Sequence, residues 1–352
     1  KKLKDEKKLV KHETYQHSYP HCWRCDEPLI YRAVSSWFVD IQKIKQSMLN
    51  ANSKINWVPE HIKEGRFGKW LEQARDWAIS RNRYWGCPIP VWKCECGETT
   101  CIGSIEELEK KSNTKVTDLH KHFVDRIELT CDKCGKAMQR VEEVLDCWFE
   151  SGAMPYAQKH YPFENKKEFE ESYPADFIAE GLDQTRGWFY TLVVLGAALF
   201  DKNSFSNVVV NGLVLAEDGR KMSKRLKNYP EVEYIFDKYG ADALRLFLMN
   251  SAAIKGGDLL FSETSVSDVL KNFHLPLWNS YSFFVTYANV DGWDVKNGSV
   301  TTFTNPLDIW LNSFTEELVA KVDNSLANYD FGKAIKDLYL YIDQLTNWYI
   351  RR

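Results

Sequence analysis

Two close pairs of cysteines constrain the fold of this chain more than any other feature of its sequence. The pairs are Cys94-x-Cys96 and Cys131-x2-Cys134. Gly97 and Gly135 follow them directly and would supply a tight turn after each pair. Thiolate pairs in such turns are typical of tetrahedral zinc sites, and small modules of this kind rarely hold a core without their metal. The pattern predicts a structural Zn²⁺ in an insert over residues 94–143, with Cys101 as the alternative ligand; reduced core cysteines are the competing interpretation.

The other cysteines bear on the cellular location of the protein and on a second metal site. Cys22 and Cys25 form a third close pair, but no fourth pair is left among the nine cysteines to complete a site with them. Cys87 and Cys147 stand apart and are predicted to be buried structural thiols. Because close pairs favour metal over disulfides, the chain is expected in a reducing compartment, the cytoplasm.

Composition bounds the class of protein. The 352 residues are 44% hydrophobic and 27% charged, which is typical of a soluble globular chain with two or three domains. The net charge of −3 gives no global electrostatic argument for nucleic acid or membrane. The longest apolar run, residues 192–200, is far shorter than the ~20 residues that span a bilayer, so no membrane partner is predicted.

Local patterns predict strands and helices in alternation, followed by a helical end. Apolar residues at helical spacing predict a helix over 67–78, and a fully buried helix is predicted over Gly187–Phe200. The strings VLDCWF and DFIAEG are interpreted as short buried strands, and SIEELEKK as a polar helix. Asn211-Gly212 predicts a β-hairpin between the apolar strands that flank it. From Ser265 onward the pattern is helical.

The segment LVLAEDGRKMSKRLKNY, residues 213–229, carries the sharpest chemical signal. A strand leads into an Asp218-Gly219 turn and then into a loop with five cations: Arg220, Lys221, Lys224, Arg225 and Lys227. Lysine ammonium groups at the end of a strand suit a polyphosphate, because sheet ends are where α/β folds bind nucleotides. A solvated basic loop is the competing interpretation of such a run.

The string KMSKR, Lys221–Arg225, resembles the KMSKS signature of class I aminoacyl-tRNA synthetases. Five further strings resemble isoleucyl-tRNA synthetases, closest to their eukaryote-like branch: PHCWRCDEPLIYRAVSSWF, SRNRYWGCPIP, DCWFESG, EGLDQTRGWF and KYGADALRLFL. The resemblance covers nearly the whole chain. It implies an α/β fold, namely the second half of a Rossmann-like catalytic domain with a small zinc-binding insert, followed by an α-helical anticodon-binding bundle.

The resemblance also implies domain boundaries. They are 1–20, the tail of an editing insertion or linker; 21–93, the return into the catalytic domain; 94–143, the zinc-binding insert; 144–264, the catalytic half with the KMSKR loop; and 265–352, a truncated anticodon-binding domain. In similar enzymes the partners of the first cysteine pair come from upstream. Cys22 and Cys25 would therefore be half of a metal site.

Residue roles follow from the same resemblance. The catalytic residues would be Lys221, Ser223 and Lys224, and ATP would be bound by Lys221, Lys224, Met222, Asn211 and Gly212. Isoleucine and its adenylate would be bound by Glu180, Gly181, Asp183, Gln184, Trp188 and Trp148. For Glu180, Asp183 and Gln184 the competing interpretation is helix capping, which Asp183 could serve. For the two tryptophans it is core packing. Turn formation alone would explain Asn211-Gly212.

The implied reaction is the activation of L-isoleucine by ATP with Mg²⁺, and its transfer to tRNA(Ile), by a monomer. The chain departs from the family because none of its eight His forms an H-x-G-H motif, and because the threonine-rich body of the editing domain is missing. Both ends, KKLKDEKK and NWYIRR, look cut. The chain is expected to be a fragment that is inactive by itself. A valyl-type synthetase and an inactive zinc- or RNA-binding scaffold are the alternatives.

Overall fold

The structure is a computed structural model and describes residues 2–22, 25–297 and 302–352. The chain divides into two compact units, Lys1–Trp37 and Phe38–Arg352. In the first unit a short helix, α1 (Lys2–Asp5), precedes extended chain, and its described side chains are largely exposed. The second unit contains the sheets and the remaining helices.

The second unit begins with a short α/β segment. Its elements are β1 (Phe38–Val39), α2 (Ile41–Ser53), β2 (Asn56–Val58), a π-helical turn over Lys63–Gly68, α3 (Lys69–Glu72), β3 (Trp77–Ala78) and β4 (Ser80–Arg81). The helix predicted over 67–78 is therefore wrong in its second half. Trp77 and Ala78 leave the helix because they pair with β1 in antiparallel register, where the Asp76 carboxylate accepts the Ile41 N–H at 3.1 Å.

A small module on a four-stranded antiparallel sheet follows. Its elements are β5 (Val91–Cys94), β6 (Thr99–Cys101), α4 (Ile105–Ser112), α5 (Lys121–Val124), β7 (Leu129–Thr130) and β8 (Ala137–Arg140). The strand order is β6-β5-β8-β7, so two hairpins meet along β5 and β8. Trp92, Leu108 and Met138 belong to a core of the module's own. The predicted polar helix is present as α4, and Ser104 Oγ caps it by accepting the Glu107 N–H at 3.0 Å.

The chain then builds a parallel sheet. The elements are β9 (Val144–Leu145), α6 (Cys147–Gly152), α7 (Met154–Ala157), α8 (Lys166–Ser172), β10 (Ala175–Gly181), a 3₁₀ turn over Leu182–Arg186, α9 (Trp188–Phe200), β11 (Phe205–Asn211) and β12 (Val214–Leu215). β10, β11 and β2 form one parallel sheet in that order. The string VLDCWF is a strand only in β9, because Asp146 Oδ1 accepts the Trp148 N–H at 2.8 Å and caps α6.

Helix α9 supplies the centre of the main core. Nine of its residues, Phe189–Ala197, are buried as predicted, while Leu199 near its end is exposed. The rings of Phe189 and of Phe205 lie 5.9 and 6.4 Å from that of Trp57 on β2. The strand β10 is less buried than predicted, since Phe177 is 43% exposed. The core therefore lies around α9, β11 and β2 and leaves β10 partly accessible.

A helical region follows β12. Its elements are α10 (Val232–Tyr239), α11 (Ala241–Met249), a 3₁₀ turn over Ala252–Lys255, β13 (Leu259–Leu260), α12 (Glu263–Val269), a π-helical turn over Leu270–His274, α13 (Leu275–Val290), a 3₁₀ turn over Val295–Asn297, α14 (Pro306–Ala327), α15 (Phe331–Asp343) and a π-helical turn over Gln344–Tyr349. The helical pattern predicted from Ser265 onward is confirmed. Among the described residues no helix is long and apolar enough to cross a membrane.

The hairpin predicted at Asn211-Gly212 is wrong. β12 pairs in parallel with β13 and does not fold back on β11. The second predicted turn is present, because Gly219 has a φ of +79° and Leu215 is bridged to Lys221 across it. Local spacing could not distinguish these arrangements, since the partner strand β13 comes much later in the chain.

Candidate functional site

Polar residues converge at the carboxyl edge of the parallel sheet. The strands β10 and β11 end together, with Gly181 opposite Asn211 in the register. Glu180 and Gly212 therefore lie at neighbouring strand ends, which is where open α/β sheets bind their ligands. The structure thus brings together residues that the sequence assigned separately to the amino acid and to ATP.

The segment Ser251–Asp258, called here the crossing segment, packs against this edge. Gly212 donates its backbone N–H to the Ala253 carbonyl at 2.7 Å. A Cβ on Gly212 would lie 1.9 Å from the Gly257 carbonyl oxygen, so only glycine permits this approach. Close backbone contact explains the glycine, and a hairpin turn does not. Sequence reasoning missed the crossing segment, although its paired glycines are a signal of close approach.

Two carboxylates at the end of β10 are exposed. The Glu180 side chain has no hydrogen bond or ion pair within the described part of the chain, and Asp183 accepts one hydrogen bond, from Gln184 Nε2 at 3.1 Å. Gln184 Oε1 accepts the Trp188 N–H at 2.9 Å and so caps α9. Helix capping, the competing role predicted for Asp183, is therefore performed by Gln184. Both carboxylates keep acceptor capacity for a ligand.

Two tryptophans lie beside this turn. Trp188 is half-buried and donates its Nε1–H to the Ser151 carbonyl on α6 at 3.1 Å. Trp148, also on α6, is 41% exposed. A Cβ on Gly187 would lie 3.3 Å from Trp148 Cη2, so this ring lies over the first turn of α9. The structure therefore brings the two predicted tryptophans to the same place as Asp183 and Gln184.

The KMSKR loop is held by a residue that sequence reasoning did not single out. Asn228 Oδ1 accepts the Ser223 N–H at 2.9 Å, and Asn228 Nδ2 donates to the Lys221 carbonyl at 3.1 Å. The Leu226 and Lys227 amides both donate to the Ser223 carbonyl. An asparagine shortly after a turn commonly bonds nearby backbone in this way, which is the signal that could have found it.

Most of the loop's cations are exposed and unpaired. Arg220 is the exception: it forms an ion pair with Asp218, and its side-chain hydrogen bond holds the pKa of that carboxyl below its usual range. Lys221, Lys224 and Arg225 form no ion pair with any residue that the structure describes. Unpaired cations on one short loop repel one another and attract a polyanion.

The module's two cysteine pairs each lie in a turn that ends at a glycine. Gly97 donates its N–H to the Cys94 carbonyl and Gly135 donates to the Cys131 carbonyl, each at 2.9 Å. Both glycines have positive φ, +91° and +71°. Each turn closes one of the two hairpins, and because β5 pairs with β8 the turns come together at one end of the sheet.

The four sulfurs of the module converge. Cys94 Sγ lies 3.4 Å from Cys134 Sγ, Cys96 Sγ lies 3.7 Å from Cys131 Sγ, and all four are within 4.8 Å of one another. Tetrahedral zinc with Zn–S bonds of about 2.3 Å would place its sulfurs about 3.8 Å apart. The set could therefore hold a metal ion. Cys101, the alternative ligand, is not part of the cluster; it pairs with Val91, away from the turn.

Cys22 and Cys25 occupy a similar turn in the first unit. Asp26 donates its N–H to the Cys22 carbonyl, and Cys22 donates to the Glu27 carbonyl, each at 2.8 Å. Asp26, with a φ of +58°, takes the left-handed conformation that glycine takes in the module. Within the described residues this pair is not part of a group of three or more ligands.

The prediction that Cys87 and Cys147 are buried is wrong, because both residues are exposed. Cys87 lies in the irregular chain before Pro88, and Cys147 is the first residue of α6. Partial burial of the Cys87 thiol and the nearby Glu150 carboxylate nevertheless raise its pKa.

Comparison with known proteins identifies two families along the chain. Residues 3–260 match the family described as tRNA synthetases class I (I, L, M and V). Residues 308–352 match the anticodon-binding domain of tRNA ligase. The two matches agree with an α/β part followed by a helical part.

Curated relatives confirm the resemblance found in the sequence. Isoleucine–tRNA ligase of Treponema denticola is 62% identical over 100% of this chain, and that of Chlamydia pneumoniae is 57% identical over 99%. The chain spans 33% of the length of each of these relatives.

Two solved structures share the fold. Methionyl-tRNA synthetase of Mycobacterium tuberculosis, bound by methionyl-adenylate, aligns with a TM-score of 0.64 and 15% identity, covering 95% of this chain and 56% of that one. LeuRS of Agrobacterium radiobacter, in a ternary complex with tRNA and LeuAMS, aligns with a TM-score of 0.59 and 19% identity. This alignment covers 82% of this chain and 39% of that one. With the family matches, this likeness in fold leads to one conclusion: the chain belongs to the class I tRNA synthetases (I, L, M and V).

Proposed function

We propose that the protein containing this chain is an isoleucine–tRNA ligase, which activates isoleucine with ATP and transfers it to tRNA(Ile). The observation that carries this proposal is the 62% identity of the entire chain with a relative of that name. The geometry is consistent with it. Exposed acceptors stand at the end of β10, and unpaired cations stand on the loop that follows β12.

The KMSKR loop is the proposed ATP-binding element. Lys221 and Lys224 supply positive charge to the phosphates and to the departing pyrophosphate, where stabilising charge lowers the barrier most. Ser223 shapes the loop through its hydrogen bond to Asn228, and the half-buried Met222 anchors it. Asn211 and Gly212 bring backbone close to the adenine.

The end of β10 and the start of α9 are proposed to bind the amino acid and its adenylate. Glu180 and Asp183 accept hydrogen bonds from the ammonium group and the ribose hydroxyls. Gln184 supports Asp183, and Gly181 leaves room for that carboxylate, since a Cβ on it would lie 2.7 Å from Asp183 Oδ1. The rings of Trp148 and Trp188 wall the isoleucine side chain.

Catalysis by this set is positioning and charge stabilisation. The isoleucine carboxylate attacks the α-phosphate of ATP in line, and pyrophosphate leaves. A hydroxyl of the 3′-terminal nucleotide of tRNA then attacks the carbonyl of the adenylate and displaces AMP. The lysines act on the first step, and the acceptors at the end of β10 hold the adenylate for the second.

The proposed metal is a structural Zn²⁺ held by the thiolates of Cys94, Cys96, Cys131 and Cys134. It would join the two hairpin turns and take no part in the reaction. Mg²⁺ would accompany ATP and neutralise charge on its phosphates. Cys22 and Cys25 are proposed as half of a second metal site. We further propose that the protein is a monomer located in the cytoplasm.

The proposed activity belongs to the whole protein. The relatives are longer than this chain, which spans 33% of their length. The H-x-G-H half of the ATP site and the editing domain are proposed to lie in parts of the protein outside this chain. Residues 265–352 would belong to the anticodon-binding domain. We expect this chain by itself to be inactive in isoleucine activation.

ATP–pyrophosphate exchange by the full-length protein tests the proposal. Isoleucine should support exchange with a higher kcat/KM than valine, by about 10- to 200-fold, since one methylene in an apolar pocket is worth about 1–3 kcal/mol. Discrimination of this size is known behaviour of isoleucyl-tRNA synthetases, which are the standard example of that limit. Exchange with valine preferred would favour the valyl-type alternative. No exchange with any amino acid would favour the scaffold.

A further inference from the structure

The turn between α14 and α15 contacts the edge strand of the catalytic sheet. The Tyr329 ring stacks on the Phe177 ring, with 5.2 Å between centroids and 9° between planes. Tyr329 has a φ of +57°, in the left-handed region that residues with a side chain seldom adopt. Phe177 lies on β10, three residues before Glu180. The left-handed residue ends α14, where Asp330 donates its N–H to the Ser325 carbonyl at 2.8 Å, and this helix end directs the Tyr329 ring toward β10.

The same turn also contacts the crossing segment. At the start of α15, a Cβ on Gly332 would lie 3.4 Å from Lys255 Cε, so the Lys255 side chain lies over this glycine. Lys255 ends the 3₁₀ turn whose Ala253 carbonyl accepts the Gly212 N–H. The turn between α14 and α15 therefore contacts two parts of the carboxyl edge. It touches β10, and it touches the crossing segment, which packs on the residue after β11.

Core packing does not account for the Tyr329 stack. Phe177 is still 43% exposed beneath it and does not belong to the main hydrophobic core. By contrast, the stacked rings of Trp310 and Phe314 lie on one helix, α14, and do not involve the sheet. A nearly parallel stack at the sheet edge constrains the direction of β10 more than it contributes to a core.

We propose that Tyr329 is a positioning residue for the reaction at the carboxyl edge. Its stack on Phe177, together with the Lys255 contact at Gly332, holds the crossing segment in place relative to β10. β10 leads to Glu180, on the amino-acid side, and the crossing segment packs on Gly212, on the ATP side. The predicted effect on the reaction rests on the proposed function, whereas the predicted effect on the sheet edge rests only on the contacts described above.

Kinetics of the full-length protein test the chemical part. Tyr329→Ala should lower kcat for ATP–pyrophosphate exchange about ten-fold while the KM values for ATP and isoleucine change less than two-fold, because both substrates still bind but lie out of line. Tyr329→Phe keeps the ring and should restore kcat. Trp310→Ala is the matched control: it removes a ring from the same region without touching the sheet, and kcat should not change.

Amide hydrogen exchange on the full-length protein tests the geometric part without a measurement of activity. Tyr329→Ala should accelerate exchange at the ends of β10 and β11, including the Gly212 N–H, at least three-fold, and Tyr329→Phe and Trp310→Ala should not. Unchanged protection in Tyr329→Ala overturns the proposal, and so does equal deprotection in Trp310→Ala. If no amino acid supports exchange of pyrophosphate, the proposed function fails, while this measurement still decides the positioning role.

Discussion

The cysteine module and the carboxyl edge of the sheet are built in opposite ways. In the module, the four sulfurs of its cysteine cluster approach one another within 4.8 Å, and the turns that carry them are closed by hydrogen bonds within the chain. At the sheet edge, Glu180, Lys221 and Lys224 face solvent without an ion pair to any described residue. One region gathers its reactive groups against one another, and the other leaves them exposed to solvent.

Under the proposed function, this difference separates groups that hold the fold from groups that bind a ligand. Converging thiolates need a cation to neutralise their charge, and the cation then links two hairpins that share a small core. Neighbouring lysines on an exposed loop do the opposite, since their charge stays in solvent and remains available to a polyanion. Changes to the clustered cysteines should therefore act on stability, and changes to the exposed charged side chains at the edge should act on activity.

The largest effect on the free energy of unfolding is expected from loss of the metal. Cys94→Ser should reduce zinc content from about one ion per chain to none and unfold the module, because structural zinc contributes about 10–16 kcal/mol of apparent binding energy in small peptides. Elemental analysis and amide exchange over residues 91–140 measure this. Cys101→Ser, on the same sheet but outside the cluster, is the control and should keep both zinc and protection. Purified wild-type protein with no zinc would contradict the proposed four-cysteine zinc site.

A smaller loss is expected from Gly212→Ala. A Cβ at this position meets the Gly257 carbonyl at 1.9 Å, so the crossing segment must move, at a cost of about 1–3 kcal/mol. Chemical denaturation measures the loss. Gly65→Ala is the matched control, because nothing lies within 4 Å of its added Cβ, and it should be neutral or slightly stabilising. Equal stability of the two variants would show that the close approach at Gly212 does not exist.

The sequence predicted best what depends on local spacing. The turns at Gly97 and Gly135, the polar helix α4 and the Gly219 turn all follow from residues within a few positions of one another. Pairing between distant segments could not be predicted in this way. β12 finds its partner in β13, and Trp77 leaves its helix to pair with β1. Both depend on residues remote in the chain.

The candidate site shows the same division. The motif placed Glu180, Asp183, Trp148 and Trp188 in one region, and the structure brings them to one strand end and one helix start. Helix capping, the competing role, falls to Gln184 and not to Asp183; the sequence could not choose between them, because a carboxylate and a side-chain amide both accept hydrogen bonds well. Asn228 was missed because its role depends on the folded shape of the loop.

The exposed groups at the carboxyl edge and on the KMSKR loop are proposed to bind substrates, and a substitution of Lys224 tests this most directly. Lys224→Met in the full-length protein should leave the free energy of unfolding unchanged within about 0.5 kcal/mol, since an exposed side chain without partners stabilises little. The same variant should lower kcat for isoleucine-dependent ATP–pyrophosphate exchange about 100-fold or more, which is the usual loss when a charge-stabilising group is removed. Lys202→Met, at an exposed lysine after α9, should retain full exchange. Normal exchange in Lys224→Met, or equal loss in Lys202→Met, would contradict the account.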